Sequence, residues 1–270
     1  MFSQPFSISI KDLNLIKNHK IILNQICCDI PSQSLTAIIG PNGAGKSTLL
    51  RSLLGFEKFE SGEIFLGQKN CKQLSNEERA KLFSWCPSDV QLSYPFPCLD
   101  LVCMGRFSRH HGYPKKKDYE ISLHAMKKLG LENFSQRQSD ELSRGEFQKL
   151  MLARALASEN PILIFDEPEA HLDLFHNFEL LKMFKDLTRE GYTICVCLHR
   201  LDLAAEYADH IILLKNGSVL KQGPSSEIYT PELVQRGFGI YLNRVKSTQG
   251  EKFFFEPILQ NLSESRINDK

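Results

Sequence analysis

The sequence predicts an α/β fold in which a phosphate-binding loop, an acidic strand end and a histidine strand end face one ligand. The first observation is an apolar run over 35–39 that leads into Gly40-Pro41-Asn42-Gly43-Ala44-Gly45-Lys46-Ser47-Thr48, with a helical stretch after it. The second is Ile162-Leu163-Ile164-Phe165, an apolar run ending in Asp166-Glu167. The third is a run rich in Ile, Val and Cys over 192–198 that ends at His199. In a parallel sheet, ligands sit at the carboxyl ends of the strands, so three such ends point to one site.

The elements follow in order. Apolar and polar residues alternate over 6–15, with Ile8, Ile10, Leu13 and Leu15 on the apolar side, and a second strand is expected over 21–30. Together they predict a small antiparallel sheet beside the nucleotide core. The stretch 48–54 reads as a helix capped by Gly55. A turn and short strand follow over 61–67, then a helix N-capped by Ser75 with Glu78 three residues on, then a core strand over 82–86. Residues 87–97 read as a loop. A helix starts at Leu99 and is broken by Gly105-Arg106 and by 109–114. Lys115-Lys116-Lys117 reads as a solvated loop before an amphipathic helix over 119–129 that ends at Gly130. Helices are expected over 147–157, 178–188 and 202–207, a strand over 211–214, and a hairpin turn at Asn216-Gly217. Beyond Gly239 the pattern weakens, with one terminal strand expected over 252–257.

Composition narrows the function classes. The chain has 270 residues, enough for one large domain or a domain with a subdomain. Its 33 Lys+Arg nearly balance 32 Asp+Glu, which gives no argument for broad nucleic-acid binding. The 8 cysteines are scattered without a C-x-x-C pair, as expected of reduced, mostly buried thiols. Residues 1–6 lack a basic start and an apolar core, so no secretion signal is expected, and no apolar run is long enough to span a bilayer. Membrane association would come through a partner.

The residues at the three strand ends suit triphosphate chemistry. G-x-x-x-x-G-K-[ST] between strand and helix is a phosphate-binding loop. Its glycines bring backbone N–H groups close to phosphate, and the helix N-terminus adds unpaired donors and a favourable dipole. Lys46 is placed to reach the β- and γ-phosphates, and Ser47 to put its hydroxyl on Mg²⁺. Asp166 is a candidate Mg²⁺ ligand, because that ion takes hard oxygen donors. Glu167 is a candidate to orient or activate water, and His199 to contact the γ-phosphate.

Leu142-Ser143-Arg144-Gly145-Glu146, continued by Phe147-Gln148-Lys149 and Ala153-Arg154-Ala155-Leu156, resembles the signature motif of ATP-binding cassette (ABC) transporter nucleotide-binding subunits. The similarity covers residues 8–240. It implies a P-loop NTPase core of ABC ATPase type over 6–240, with an antiparallel β-subdomain, a helical subdomain near 95–155 that carries the signature, and a short C-terminal extension over 241–270. It also implies ATP and Mg²⁺ as ligands and a head-to-tail dimer of two copies. ATP would then lie between the phosphate loop of one copy and Ser143, Gly145 and Glu146 of the other, with Asp173 in the segment that crosses the interface and His199 as the switch histidine. The implied partners are a polytopic permease dimer and, indirectly, a substrate-binding protein, with the chain at the cytoplasmic face of the inner membrane.

Tyr94-Pro95-Phe96, Met104-Gly105-Arg106 and the stretches 199–209 and 229–233 resemble the ATPases of iron-siderophore, haem and cobalamin importers. Zinc and manganese importer ATPases share some of these features. The resemblance favours an iron chelate, either a siderophore complex or haem, as the transported substrate. Four departures stand out. The family's loop glutamine falls on Ser88, with Gln91 as a replacement metal ligand through a shifted loop. Arg144 stands at a family glycine, where a positive φ would strain it. No aromatic residue for adenine is evident around 15–17. Glu169 and His171 stand where small or polar residues are commoner. Two other functions remain open: a soluble ABC ATPase of DNA maintenance, and a structural subunit with an impaired site.

Overall fold

A computed structural model describes residues 6–88, 90, 92–170, 172–247 and 250–257. Gln91, the candidate replacement ligand, and His171 lie outside the described residues. The chain opens with β1 (Ile8–Lys17) and β2 (Lys20–Ile30), followed by β3 (Leu35–Ile39), α1 (Lys46–Leu54), β4 (Ser61–Leu66) and β5 (Lys69–Asn70). Next come α2 (Asn76–Leu82), β6 (Phe83–Cys86), and the helices α3 (Cys98–Cys103), α4 (Phe107–His110), α5 (Lys116–Lys128) and α6 (Arg144–Ala157). The remainder is β7 (Ile162–Asp166), α7 (Leu174–Arg189), β8 (Thr193–Cys197), α8 (Leu201–Tyr207), β9 (His210–Lys215), β10 (Ser218–Gly223), α9 (Ser225–Ile228), α10 (Pro231–Phe238), β11 (Ile240–Ser247) and β12 (Gly250–Pro257).

Two larger sheets organise these elements. An antiparallel sheet has the order β2-β1-β4-β5. The central sheet has the order β10-β9-β3-β8-β7-β6. It is parallel throughout except for β10, which pairs antiparallel with β9 at one edge. β3, β7 and β8 are buried along their whole length, which explains their unbroken apolar sequences. Their side chains face two apolar clusters. One, including Leu49, Leu50 and Leu53 of α1, joins the central sheet to the antiparallel sheet; the other, including Leu181, Phe184 and Leu150, joins it to the opposite helices. In β1 the alternation slips by one between Ile10 and Leu13, where Asp12 takes a φ of 48°. That irregularity keeps Ile8, Ile10, Leu13 and Leu15 all on the core side.

Helices α3–α6 fill the connection between β6 and β7. The break expected at Gly105-Arg106 is present as a change of helix type, with α3 ending at Cys103. The chain passes from α3 through one 3₁₀ turn, Met104–Arg106, into α4. A glycine is required there because a Cβ on Gly105 would lie 2.0 Å from the Arg154 carbonyl oxygen of α6. Lys115 to Lys117 also differ from expectation. Lys115 is the N-cap of α5 and the next two lysines are its first residues, with Asp118 accepting the Lys115 backbone N–H at 2.8 Å. An acid in the first turn offsets the unfavourable lysines at the positive end of the helix dipole.

Arg106 ties this region together. It is 5% exposed, and its guanidinium donates to Asp118 Oδ1, the Ala157 carbonyl and Glu159 Oε2 at 2.8, 2.7 and 2.8 Å. The guanidinium and the Lys115 N–H hold the Asp118 carboxyl below its ordinary range. A lowered carboxyl adds stability that is complete above the ordinary aspartate range and is lost as pH falls through the folded value. Arg106→Met is therefore expected to cost about 3 kcal/mol at neutral pH by leaving Asp118 without its ion-pair partner. The gap to wild type should narrow as pH falls below about 4, the ordinary aspartate value, and close once pH passes the lower folded value, where Asp118 is protonated in both chains. Urea unfolding at a series of pH values measures it; a gap independent of pH would contradict this role.

The C-terminal part holds one strand more than the sequence suggests. β11 and β12 form an antiparallel hairpin, in which Leu242 pairs with Phe255 and Arg244 with Phe253. The rings of Phe253 and Phe255 pack on Tyr229, which is fully buried, at centroid distances of 5.2 and 6.0 Å. The Tyr229 hydroxyl donates to the Leu201 carbonyl at 2.7 Å, anchoring the start of α8.

Candidate functional site

The phosphate loop runs between β3 and α1. Gly40 takes a φ of 154°, and a Cβ there would lie 2.3 Å from the Leu214 carbonyl oxygen, so only glycine fits against β9. Gly45 takes a φ of 99° as the N-cap of α1. The Ala44 N–H donates to the Pro41 carbonyl at 3.1 Å, closing the loop, and the Gly217 N–H donates to the Ala44 carbonyl at 3.2 Å, bracing it from the β9–β10 turn. Lys46 is 6% exposed, and its ammonium lies back over the loop, donating to the Gly40 and Pro41 carbonyls at 2.9 and 3.3 Å. From there it reaches an anion held by the loop with little reorganisation.

Neighbouring strands supply the acids. β7 pairs with β8, and β8 with β3, so their carboxyl ends lie side by side. Asp166, the last residue of β7, is 1% exposed. Its Oδ1 accepts the Ser47 hydroxyl at 3.1 Å. Burial pushes the Asp166 carboxyl up; the Ser47 bond opposes that shift and the Glu167 charge adds to it. Two adjacent ligands of an octahedral Mg²⁺, each at about 2.1 Å, stand about 3 Å apart, so this hydroxyl and carboxylate fit such an ion. Among the described residues no group of three or more His, Cys, Asp or Glu side chains could hold a metal. A site with few protein ligands matches an ion that arrives on a triphosphate and keeps its other oxygens.

Glu167 takes a φ of 51°, an unusual left-handed conformation for a side chain of its size. Its N–H donates to the Cys197 carbonyl at 3.2 Å. The chain thus turns at the strand end, and Glu167 Oε1 lies 2.6 Å from His199 Nε2. Both side chains keep partial exposure and so face the site rather than the core. A carboxylate against an imidazole beside a phosphate loop can take a proton from water and place a donor on a phosphate oxygen.

The structure brings together Lys46, Ser47, Asp166, Glu167 and His199. The predicted residues of α6 stand apart. Ser143 N-caps this helix, and its N–H and hydroxyl donate to Glu146 Oε2 at 2.8 and 2.7 Å. These contacts hold the Glu146 carboxyl below its usual range. Ser143 and Arg144 are exposed, and no hydrogen bond of Ser143 or Glu146 reaches the phosphate loop. Arg144 is the first residue of α6 with a negative φ, so the strain expected at this family glycine does not arise. Asp173 N-caps α7, accepting the His176 N–H at 2.9 Å, and is followed by exposed Leu174 and Phe175. Near the site, Ile16 and Ile21 pair across β1 and β2 and are 46% and 66% exposed, giving an apolar face where no aromatic was found.

A further cleft of about 850 Å³ lies between the core and the helical region, lined by Phe56, Phe83, Trp85, Met104, Phe107 and Arg154 among others. Phe56, Met104 and Phe107 are exposed on it. Sequence reasoning missed this cleft, because its residues come from α1–α2, β6 and α3–α6 and show no common pattern. It also gave Glu169 no role; the Glu169 carboxylate accepts the His199 backbone N–H at 2.8 Å.

Comparison with known proteins agrees with this geometry. A family model described as "ABC transporter" matches residues 23–170. The iron(3+)-hydroxamate import ATP-binding protein FhuC of Bacillus subtilis is 31% identical, over 87% of this chain and 88% of the relative. The hemin import ATP-binding protein HmuV of Agrobacterium fabrum is 34% identical, over 86% and 91%. The ferric enterobactin transport ATP-binding protein FepC of Escherichia coli is 34% identical, over 81% and 82%. Among solved structures, a metal-chelate type ABC transporter in an inward-facing conformation superposes with a TM-score of 0.81 at 26% identity, over 94% of this chain and 98% of the other.

Proposed function

The chain belongs to the ABC transporter family as an ATP-hydrolysing subunit, and from that premise we propose that it powers import of an iron chelate, a ferric siderophore or haem, through a partner permease. The chelate is suggested by the three relatives, which are an iron-hydroxamate, a hemin and a ferric enterobactin transport protein. The observation that carries the hydrolytic part is the meeting of Ser47 with Asp166 and of Glu167 with His199, at 3.1 and 2.6 Å.

In this reading Lys46 and the loop N–H groups, Gly40 to Thr48, bind the β- and γ-phosphates of ATP. Ser47 and Asp166 hold Mg²⁺, which when bound neutralises phosphate oxygens. Glu167 accepts the proton of the attacking water, and His199 holds the γ-phosphate and the Glu167 carboxylate in place. Adenine rests on the apolar pair Ile16 and Ile21. A second copy covers the open side of the triphosphate. Support comes from the N-terminus of α6 at Ser143, Gly145 and Glu146, where Ser143 is exposed and the positive end of the helix dipole suits an anion. The exposed Leu174 and Phe175 beside Asp173 offer apolar surface for the same contact. Closure would exclude water and strengthen every charge interaction at the γ-phosphate.

We place the permease on the cleft rimmed by Phe56, Met104 and Phe107, where exposed apolar side chains suit a short amphipathic segment of the partner. Among the described residues no helix is long and apolar enough to cross a membrane, so a permease contact would hold the chain at the cytoplasmic face. Affinity purification from native membranes should recover a polytopic membrane protein. Transport by that complex in vesicles should then follow a ferric siderophore or haem. Recovery without any polytopic partner would overturn the transporter reading, and uptake of cobalamin or a free divalent metal instead would overturn the substrate.

A further inference from the structure

The turn after β7 carries a second acid. Glu169 is 8% exposed, yet it sits two residues from Glu167 in a segment that already concentrates negative charge. Its Oε1 accepts the His199 backbone N–H at 2.8 Å, and its Oε2 has no hydrogen-bond partner among the described residues. Burial pushes this carboxyl up, and the His199 N–H bond draws it part of the way back. A buried acid with one oxygen unsatisfied is a costly way to fill a turn that a small residue would fill. Such a conflict between local chemistry and burial marks functional sites.

The geometry shows what the acid does. Up to Leu198, the main chain after β8 is held by the sheet: the Leu198 N–H donates to the Ile38 carbonyl at 3.1 Å, and the Cys197 carbonyl accepts from Glu167 at 3.2 Å. His199 is the first residue beyond that ladder, and its N–H is a strand-end donor taken up by Glu169. The His199 ring meets Glu167 at 2.6 Å. One histidine is thus gripped twice from one turn, by its main chain through Glu169 and by its ring through Glu167.

We propose that Glu169 is a positioning residue for ATP hydrolysis: its carboxylate fixes the main chain at His199 and so sets the imidazole against Glu167 and the γ-phosphate. The inference rests on the roles proposed for Glu167 and His199. Without the Glu169 bond, the ring is free to shift by a fraction of an ångström to an ångström, a displacement that slows positioned chemistry by about 10- to 100-fold. Nucleotide binding depends on the phosphate loop on the other strand and is unaffected.

The test is steady-state Mg·ATP hydrolysis by the full-length chain and its Glu169→Ala, Glu169→Gln, His199→Ala and Glu169→Ala/His199→Ala variants, with thermal midpoints alongside. Glu169→Ala should lower kcat by about 10- to 100-fold with KM within about twofold. Glu169→Gln keeps an acceptor oxygen at the same reach and should stay within about threefold of wild type. The double variant should be no slower than His199→Ala alone, since Glu169 acts through His199. If the alanine leaves a void that unfolds the turn, Glu169→Met fills it without an acceptor and should show the same loss of kcat. Wild-type turnover in a folded Glu169→Ala or Glu169→Met, with His199→Ala impaired, would overturn the inference alone. Additive losses in the double variant would also overturn it. Wild-type turnover in His199→Ala would overturn the proposed role of His199 and this inference with it.

Discussion

Glu167→Gln is expected to lower kcat for ATP hydrolysis by about 10²- to 10³-fold and leave ATP affinity within a few fold of wild type. The amide matches the carboxylate in size and can occupy the same left-handed backbone position, with φ near the present 51°. It keeps a polar contact to His199, which now lies 2.6 Å from Glu167 Oε1. What it loses is the capacity to take a proton from water. The expected signature is therefore a fall in kcat without a rise in KM, read from steady-state phosphate release. Turnover within about threefold of wild type would show that another group activates the water, because removal of a working general base costs more than that.

Lys46→Ala should weaken ATP binding by at least about 100-fold, the largest effect expected on affinity. Lys46 is 6% exposed and its ammonium is held by the Gly40 and Pro41 carbonyls at 2.9 and 3.3 Å, so the charge is already largely desolvated and lies over the loop. A bound triphosphate would gain a nearly unscreened positive charge there. The fold itself should not suffer much, since the variant removes a buried charge rather than leaving one unpaired. ATP stabilises only what it binds, so saturating ATP should raise the melting midpoint of wild type but not of Lys46→Ala. An equal ATP-induced shift in both chains would contradict the assigned role.

Local signals made much of this fold readable. Ser75 and Glu78 form the capping box that their spacing predicts. Gly55 closes α1 at a φ of 79°, and Asn216-Gly217 turn the β9–β10 hairpin at φ values of 49° and 75°. The apolar runs of β3, β7 and β8 are legible because both faces of those strands are buried. The misses share a cause: each depends on contacts remote in sequence. At Gly105 the end of α3 was legible, but its reason, the close approach of the Arg154 carbonyl, was not. Lys116 and Lys117 begin a helix because Asp118 caps it and pairs with Arg106. β11 lacks a strong strand pattern and is held by its pairing with β12 and by Phe253 and Phe255 packing on Tyr229.

The site divides along the same line. Lys46, Ser47, Asp166, Glu167 and His199 were legible because motifs at strand ends converge in a parallel sheet. Arg144 read as a strained position only through the family's glycine; as the first residue of a capped helix it needs no unusual φ. Glu169 had no signal in the sequence, since its contact to the His199 N–H exists only once β7 and β8 lie side by side. Ser143, Gly145 and Glu146 are separate from the phosphate loop in one chain, which is what the proposed site shared between two copies requires.

That separation makes the central claim a statement about assembly: ATP is enclosed by Lys46 and Ser47 of one copy and by Ser143 to Glu146 of another. Slow turnover in Glu167→Gln allows the enclosed state to accumulate. The most direct measurement is the molar mass of this variant in solution, by light scattering, with Mg·ATP and with Mg·ADP. The mass is predicted to double with ATP and to remain that of one chain with ADP, and Ser143→Arg introduced into the same variant should abolish the doubling. A chain saturated with ATP that stays monomeric would contradict the composite site.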